Sequence, residues 1–169
     1  NELLIDTDYR KSDINNLERY FYPINKDLTF KVNRIFHNLT KGIKKNIKEI
    51  SVKKRIFKLD NFYNGIVKID FNSICGNNIG AEDYLKISNL CKFMLIENIP
   101  NFTDENLDKQ HRFITLIDIL YENKIPLMIT SVGSLDKINL SSKLLKPFKR
   151  TISRIYELTS PKIKILIQS

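Results

Sequence analysis

The chain has 169 residues, of which 42% are hydrophobic and 28% charged, a composition typical of one globular domain or of one compact piece of a larger one. Its formal net charge of +9 is typical of proteins that meet nucleic acid, anionic lipid or an acidic protein, although the Asn-, Ile- and Lys-rich usage is equally typical of AT-rich coding sequence. No apolar run approaches the ~20 residues of a membrane-spanning helix, and the two cysteines and two histidines lack the spacing of a metal site.

The N-terminal part begins with a short predicted strand and an amphipathic helix. The strand is Leu3–Ile5, and it is followed directly by charged and aromatic residues. Over Asp27–Leu39 the apolar residues recur at helical spacing, and Gly42 is a plausible helix stop.

A basic hairpin is predicted next. Residues Lys44–Arg55 are crowded with lysine but also contain strand-forming isoleucine and valine. Two strands follow, Arg55–Leu59 and Gly65–Phe71, and the polar residues Asp60-Asn61 and Asn64-Gly65 are predicted to form the turns.

From residue 66 onward, strands and helices alternate. The predicted strands are a segment that ends at Cys75, the buried run Phe93–Ile96 and the buried run within Lys124–Ser131. The predicted helices are Ala81–Leu90, Asn106–Asn123 and Pro147–Leu158.

This alternation predicts an α/β fold with a mostly parallel sheet flanked by helices. The basic hairpin near the N-terminus is an antiparallel addition. We interpret residues 1–169 as a single α/β region, divided into an irregular subregion, 1–65, and an alternating strand and helix subregion, 66–169.

Five short motifs lie in order along the chain. They are Asp8-Tyr9-Arg10 after the first strand, Ile69–Cys75, Gly80–Leu85, Arg112–Asp118 followed by Tyr121, and Arg150–Glu157. Together these motifs resemble the ZapE-like, AFG-type P-loop ATPases, whose corresponding patterns include G-x-x-D-Y-L and R-T-x-S-R-L-x-E. The resemblance extends from about residue 8 to residue 160, and Ile155 replaces a leucine of the last motif.

The resemblance implies an AAA-like fold, the use of ATP and Mg²⁺, and ATP hydrolysis that drives work on a protein partner. In bacterial members of the family that partner is the cell-division ring, and in mitochondrial relatives the work is the handling of inner-membrane proteins. A cytoplasmic location, at the inner face of the membrane, is implied for a bacterial protein, and the mitochondrial matrix for a eukaryotic one. Assembly into a homo-oligomer is also implied.

The sequence has no Gly-x-x-x-x-Gly-Lys-Ser/Thr loop, whose backbone N–H groups cradle phosphates. The family's P-loop and Walker B acids are expected upstream, and the first residue is Asn1 rather than Met. We therefore interpret the chain as the C-terminal portion of the ATPase, inactive alone and partnered by an upstream P-loop segment. We also expect a sheet without its first strands to aggregate or associate.

Arg150 and Arg154 are the first candidate catalytic residues. They are four residues apart and share one helix face, so both could stabilise the charge that develops on a transferred phosphoryl group. The alternative is structural, with Arg154 paired to Glu157 and Arg150 paired to an acid elsewhere.

Arg112 is the third candidate, because an arginine near a helix N-terminus opposes the helix dipole and suggests a specific carboxylate or phosphate partner. Asp118 lies on another face of the same helix and is expected to anchor an arginine of another element. The resemblance gives structural or interface roles to the remaining motif residues, which are Asp8, Tyr9, Arg10, Asp83, Tyr84, Asp118, Tyr121 and Glu157.

Two strand ends carry polar side chains. Glu97 and Asn98 follow a buried strand in the manner of a Walker B segment, but the magnesium-binding Asp is missing, so a solvated Glu at the end of a core strand is favoured. Thr130-Ser131 could meet a ligand or cap the next helix, and the cap is favoured.

Two further functions fit the sequence. The chain could be a non-catalytic α/β interaction module or remnant of an ATPase. It could also be a basic nucleic-acid-binding domain, since Phe57, Phe62 and Tyr63 follow the lysines of Lys44–Arg55. A solvated hairpin with lysines that protect its edge is favoured over nucleic acid, and peripheral contact with anionic lipid stays open.

Overall fold

The computed structural model of the chain describes residues 13–76 and 79–166. The predicted strand Leu3–Ile5 and the motif residues Asp8, Tyr9 and Arg10 lie outside this part of the chain, so their assignments stay predictions.

A six-stranded sheet organises the described residues, in the order β1-β6-β5-β4-β3-β2. Its strands are β1 (Tyr20–Phe21), β2 (Asn46–Val52), β3 (Arg55–Tyr63), β4 (Ile66–Asp70), β5 (Phe93–Ile99) and β6 (Leu127–Ser131). The pairs β1–β6, β6–β5 and β5–β4 are parallel, whereas β4–β3 and β3–β2 are antiparallel. The predicted α/β fold with a mostly parallel sheet is confirmed.

Five α-helices and one 3₁₀ turn, Asp13–Asn16, accompany the sheet in the described residues. The helices are α1 (Lys26–Thr40), α2 (Phe71–Cys75), α3 (Ala81–Leu90), α4 (Leu107–Glu122) and α5 (Leu145–Leu158). Within residues 13–76 and 79–166, no helix has the length and apolar content needed to cross a bilayer.

The sheet has a hydrophobic core on each face, because strand side chains point alternately to opposite sides. In β5, Met94 and Ile96 belong to the core under α2–α5, whereas Phe93 and Leu95 belong to the core under α1. All four side chains are fully buried. Such double-sided burial explains the continuous apolar run of this strand.

Four phenylalanines lock the helices of the larger core together. Phe102 is in ring contact with Phe71 of α2, Phe113 of α4 and Phe148 of α5, with centroid distances of 5.6, 5.5 and 5.2 Å. These edge-on and stacked contacts fix α4 beside α5. They also place the polar residues of α5 that follow Phe148 over the middle of α4.

Two local predictions are wrong. The predicted strand that ends at Cys75 stops at Asp70, because the Asp70 carboxylate accepts a hydrogen bond from the Asn72 backbone N–H and caps the short helix α2. Asp60-Asn61 is not a turn. Strand β3 runs through these residues, and Asn46 pairs with Phe62 while Lys48 pairs with Leu59, so the extra residue is absorbed as a bulge.

The other predicted turn occurs at Asn64 and Gly65, between β3 and β4. Both residues have positive φ angles, 51° and 95°. This is the backbone geometry that two-residue hairpin turns favour, and it explains the Asn-Gly pair in the sequence.

Candidate functional site on helices α4 and α5

The predicted arginines of α5 meet an acidic residue of α4. Arg154 Nη1 donates a hydrogen bond to Asp118 Oδ1 at 2.5 Å, and Arg150 Nη2 donates to Asp118 Oδ2 at 3.4 Å. Each carboxylate oxygen of Asp118 thus accepts from one guanidinium. Phe148, Thr151, Ile155 and Leu158 are buried on the adjacent side of α5.

The two arginines differ in how firmly they are held. The Arg154 side chain is 23% exposed, makes the short bond, and lies over the Tyr121 ring with its guanidinium carbon 4.6 Å from the centroid. The Arg150 side chain is 57% exposed and, within residues 13–76 and 79–166, makes only the long bond. Arg154 is therefore fixed by its neighbours, whereas most of the guanidinium of Arg150 is accessible.

Tyr121 and Glu157 complete the same patch. Lys124 Nζ lies 3.7 Å from the centroid of the Tyr121 ring and donates to Glu157 Oε2 at 2.9 Å. This ammonium group lowers the pKa of Glu157. The expected pairing of Arg154 with Glu157 is wrong, since Asp118 takes Arg154 and Lys124 takes Glu157.

Arg112 has a different type of partner from the one expected. Its Nη1 donates to the backbone carbonyl of Cys75 at 3.3 Å. That carbonyl belongs to the last residue of α2, where helical carbonyls lack intrahelical partners. Arg112 is thus a cap for a helix C-terminus, and it lies apart from the Asp118 cluster in its hydrogen bonding.

Asp83 and Tyr84 hold the neighbourhood of α3 together. Asp83 is 2% exposed and accepts hydrogen bonds from the Gly80 N–H at 2.8 Å and from Arg55 at 3.2 Å. The buried Tyr84 hydroxyl donates to the Ile74 carbonyl at 2.7 Å. Asp83 thereby joins the start of α3 to the basic hairpin, and Tyr84 joins α3 to α2.

The polar groups at the end of β5 have hydrogen-bond or ion-pair partners within the chain. Glu97 pairs with Lys68 at 3.7 Å, and burial raises the pKa of Glu97. The Asn98 backbone N–H donates to Thr130 Oγ1, and the Asn98 side chain donates to Asp70.

The predicted helix cap at Thr130-Ser131 is wrong. The Thr130 hydroxyl accepts the hydrogen bond from Asn98 in β5, and the Ser131 hydroxyl donates to the Gly133 carbonyl.

Sequence reasoning missed Arg19, which is fully buried although it carries a charge. Its guanidinium donates to the backbone carbonyls of Leu127, Leu158, Ser160 and Ile163 at 2.6–3.2 Å. Three of these acceptors lie at or just beyond the end of α5, where the helix dipole favours a cation. Burial lowers the pKa of Arg19 to about 10. These partners are 108 to 144 residues away, so no local pattern indicates them.

The described residues contain no cluster of His, Cys, Asp and Glu side chains that could hold a metal ion. They fit the nucleotide implied by the resemblance in one respect, the accessible guanidinium of Arg150, which has the charge and donors that a phosphate requires.

Comparisons with known proteins agree with the motifs. The family described as AFG1-like ATPase matches residues 4–165. The cell division protein ZapE of Escherichia coli is 22% identical over 153 residues, which are 90% of this chain and 41% of that protein. Lactation elevated protein 1 homolog B of Danio rerio is 26% identical over 136 residues, 78% of this chain and 27% of that protein. The chain thus spans about two fifths or less of these relatives. No solved structure matches.

Proposed function

The chain belongs to the AFG1-like ATPase family, and from this premise we propose that it is the C-terminal part of an ATP-hydrolysing protein whose P-loop lies on an upstream segment. Arg150 then reaches the phosphates of bound Mg-ATP, either in the same protomer or across an interface between copies. Without the upstream segment the chain is inactive.

The observation that carries this proposal is the contrast between Arg150 and Arg154. A guanidinium has five N–H donors, and the single 3.4 Å bond of Arg150 to Asp118 leaves most of them available. Phosphoryl transfer depends on cations placed at the oxygens where charge develops. Asp118 and the well-packed Arg154 act as positioning residues, because they restrain the α5 face from which Arg150 projects.

The action on a protein partner is a further part of the proposal. The Escherichia coli relative is named a cell division protein. By analogy we place this protein with the division or membrane machinery, in the bacterial cytoplasm at the inner face of the membrane, or in the mitochondrial matrix of a eukaryote. ATP and Mg²⁺ are the cofactors of the assembled protein.

Arginine substitution in the full-length protein tests the proposal. We expect Arg150→Ala to reduce the rate of ATP hydrolysis by about a hundredfold or more, because arginines that contact the transferred phosphoryl group supply 10³–10⁵ in rate in related reactions. Binding of a labelled ATP analogue should persist. Lys149→Ala is the matched control, since it removes one exposed charge from the neighbouring position of the same helix.

Unchanged hydrolysis in the Arg150→Ala protein, with the fold intact, would contradict the proposed role. It would favour the second candidate function, a non-catalytic interaction module. The observation on that side is that Asp118 already pairs with both arginines within the chain.

A further inference from the structure

The positive charge of the chain is concentrated in one segment. Residues 26–58 contain eleven lysines and arginines against two acidic residues, so the other residues carry seventeen of each sign and no net charge. This segment forms α1, β2 and the first part of β3. The net charge of +9 is therefore localised on the basic hairpin and the helix that precedes it.

Most lysines of the hairpin are exposed and form no ion pair with the part of the chain that the structure describes. Lys44, Lys45, Lys48, Lys54 and Lys58 are all exposed, and none has a carboxylate partner among the described residues. Lys53 lies 3.8 Å from Glu82, and Arg55 is held by the buried Asp83. Asp83 thus anchors the hairpin to the domain through an arginine, while the lysines stay available to an external anion.

The outer face of the hairpin also exposes large aliphatic side chains. Ile47 of β2 and Ile56 of β3 are 63% and 64% exposed. Strand alternation places them on the face opposite to Ile50 and Leu59, which are buried in the core under α2–α5. Glu49 shares this outer face and lies directly across from Lys58, so these two charges offset each other and Lys44, Lys45, Lys48 and Lys54 carry the available positive charge.

We propose that the basic hairpin, residues 44–58, binds the surface of a bilayer that contains anionic lipids. Exposed lysines are attracted to the negative surface, and isolated aliphatic side chains insert at the boundary between headgroups and acyl chains.

Nucleic acid fits the hairpin less well. Bases stack on exposed aromatic rings or on guanidinium planes. Here Phe57 packs against the core, Tyr63 packs against Phe36 at a centroid distance of 5.5 Å, and Arg55 is engaged by Asp83. The exposed side chains of the hairpin are mainly lysines, together with Ile47 and Ile56, and none is aromatic.

Vesicle binding of the full-length protein tests this proposal. We expect cosedimentation with phosphatidylcholine vesicles that contain 30% phosphatidylglycerol, weak binding to pure phosphatidylcholine, and loss of binding as ionic strength rises. A lysine near an anionic surface contributes roughly a fivefold gain in partitioning. The variant with Lys44, Lys45, Lys48 and Lys54 changed to Gln should therefore bind roughly six hundredfold more weakly.

The matched control removes the same charge elsewhere. Changing Lys137, Lys143, Lys146 and Lys149 to Gln also neutralises four exposed lysines, and this variant should bind nearly as well as the parent protein. Ile47→Ser with Ile56→Ser should weaken binding further, whereas Leu140→Ser, which alters a residue that is 61% exposed, should not. Circular dichroism confirms that each variant is folded.

Three outcomes would overturn the proposal. The two lysine variants could lose binding equally, which would indicate attraction by overall charge alone. The protein could bind pure phosphatidylcholine vesicles as strongly as vesicles that contain phosphatidylglycerol. It could also bind a fluorescent oligothymidine through the same four lysines while it fails to bind vesicles. ATP hydrolysis by the hairpin variants should be unchanged, so this test is independent of the role proposed for Arg150.

Discussion

At the residue scale, arginine performs two tasks in this molecule, which are distinguished by the acceptor. Arg19 and Arg112 donate to backbone carbonyls at the C-terminal ends of α5 and α2. Arg150 and Arg154 instead donate to the carboxylate of Asp118. The first pair satisfies helix ends that the dipole makes negative, and the second pair presents charge near the surface. The position of an arginine in the sequence does not show whether it donates to a backbone carbonyl or to a carboxylate.

Arg19 is expected to be the arginine on which stability depends most. Arg19→Ala should lower the free energy of unfolding by about 3 kcal/mol, because four carbonyl acceptors lose a charged donor and a cavity remains. Chemical denaturation measures the change. Arg150→Ala, which removes an exposed side chain, should cost less than about 1 kcal/mol, and equal losses in the two variants would contradict the capping role.

Glu97 gives a pH dependence with a defined sign. Burial raises the pKa of Glu97, so the folded state binds its proton more tightly than the unfolded state does. The associated stabilisation is present below the unfolded pKa of ~4.3 and is lost as pH rises through the folded value. Relative to Glu97→Gln, the parent protein should therefore gain thermal stability as pH falls through this window. A difference in melting temperature that is constant with pH would refute this expectation.

At the scale of the elements, long amphipathic segments could be predicted and short ones could not. The apolar spacing of Asn106–Asn123 and the buried run at Phe93 correspond to α4 and β5. Strand β1 has two residues, too few to show a period, and it exists because it pairs with β6. Likewise, Asp118 was expected to meet an arginine of another element, but only packing shows which partners Arg154 and Glu157 take.

The attachment of the basic hairpin to α3 depends on Asp83. Asp83→Ala should cost about 2 kcal/mol of unfolding free energy, since the half-buried Gly80 backbone N–H and Arg55 both lose their acceptor. Amide hydrogen exchange should accelerate more in β2 and β3 than in β6. Glu82→Ala is the neighbouring control and should change stability by less than about 0.5 kcal/mol, because its 3.8 Å ion pair is exposed. Uniform acceleration across the sheet would argue against a local attachment.

At the scale of the whole molecule, the two cores share one sheet. Helices cover both faces of the central strands. The expected association of a sheet without its first strands stays a prediction. Adjacent residues of β5 contribute to opposite cores, so neither core can open without disturbing the backbone that supports the other. This coupling indicates that residues 13–76 and 79–166 unfold as one cooperative unit.

A pair of neighbouring substitutions tests the coupling. Leu95→Ala removes volume from the core under α1, and Ile96→Ala removes it from the core under α2–α5; both side chains are fully buried. Each change should cost about 2–5 kcal/mol. If the molecule unfolds as a unit, native-state hydrogen exchange should show Leu95→Ala lowering the protection of α4 by as much as that of α1, and Ile96→Ala doing the same in reverse. Loss of protection confined to the helix above each cavity would instead mean that the two faces open independently, each with its own stability.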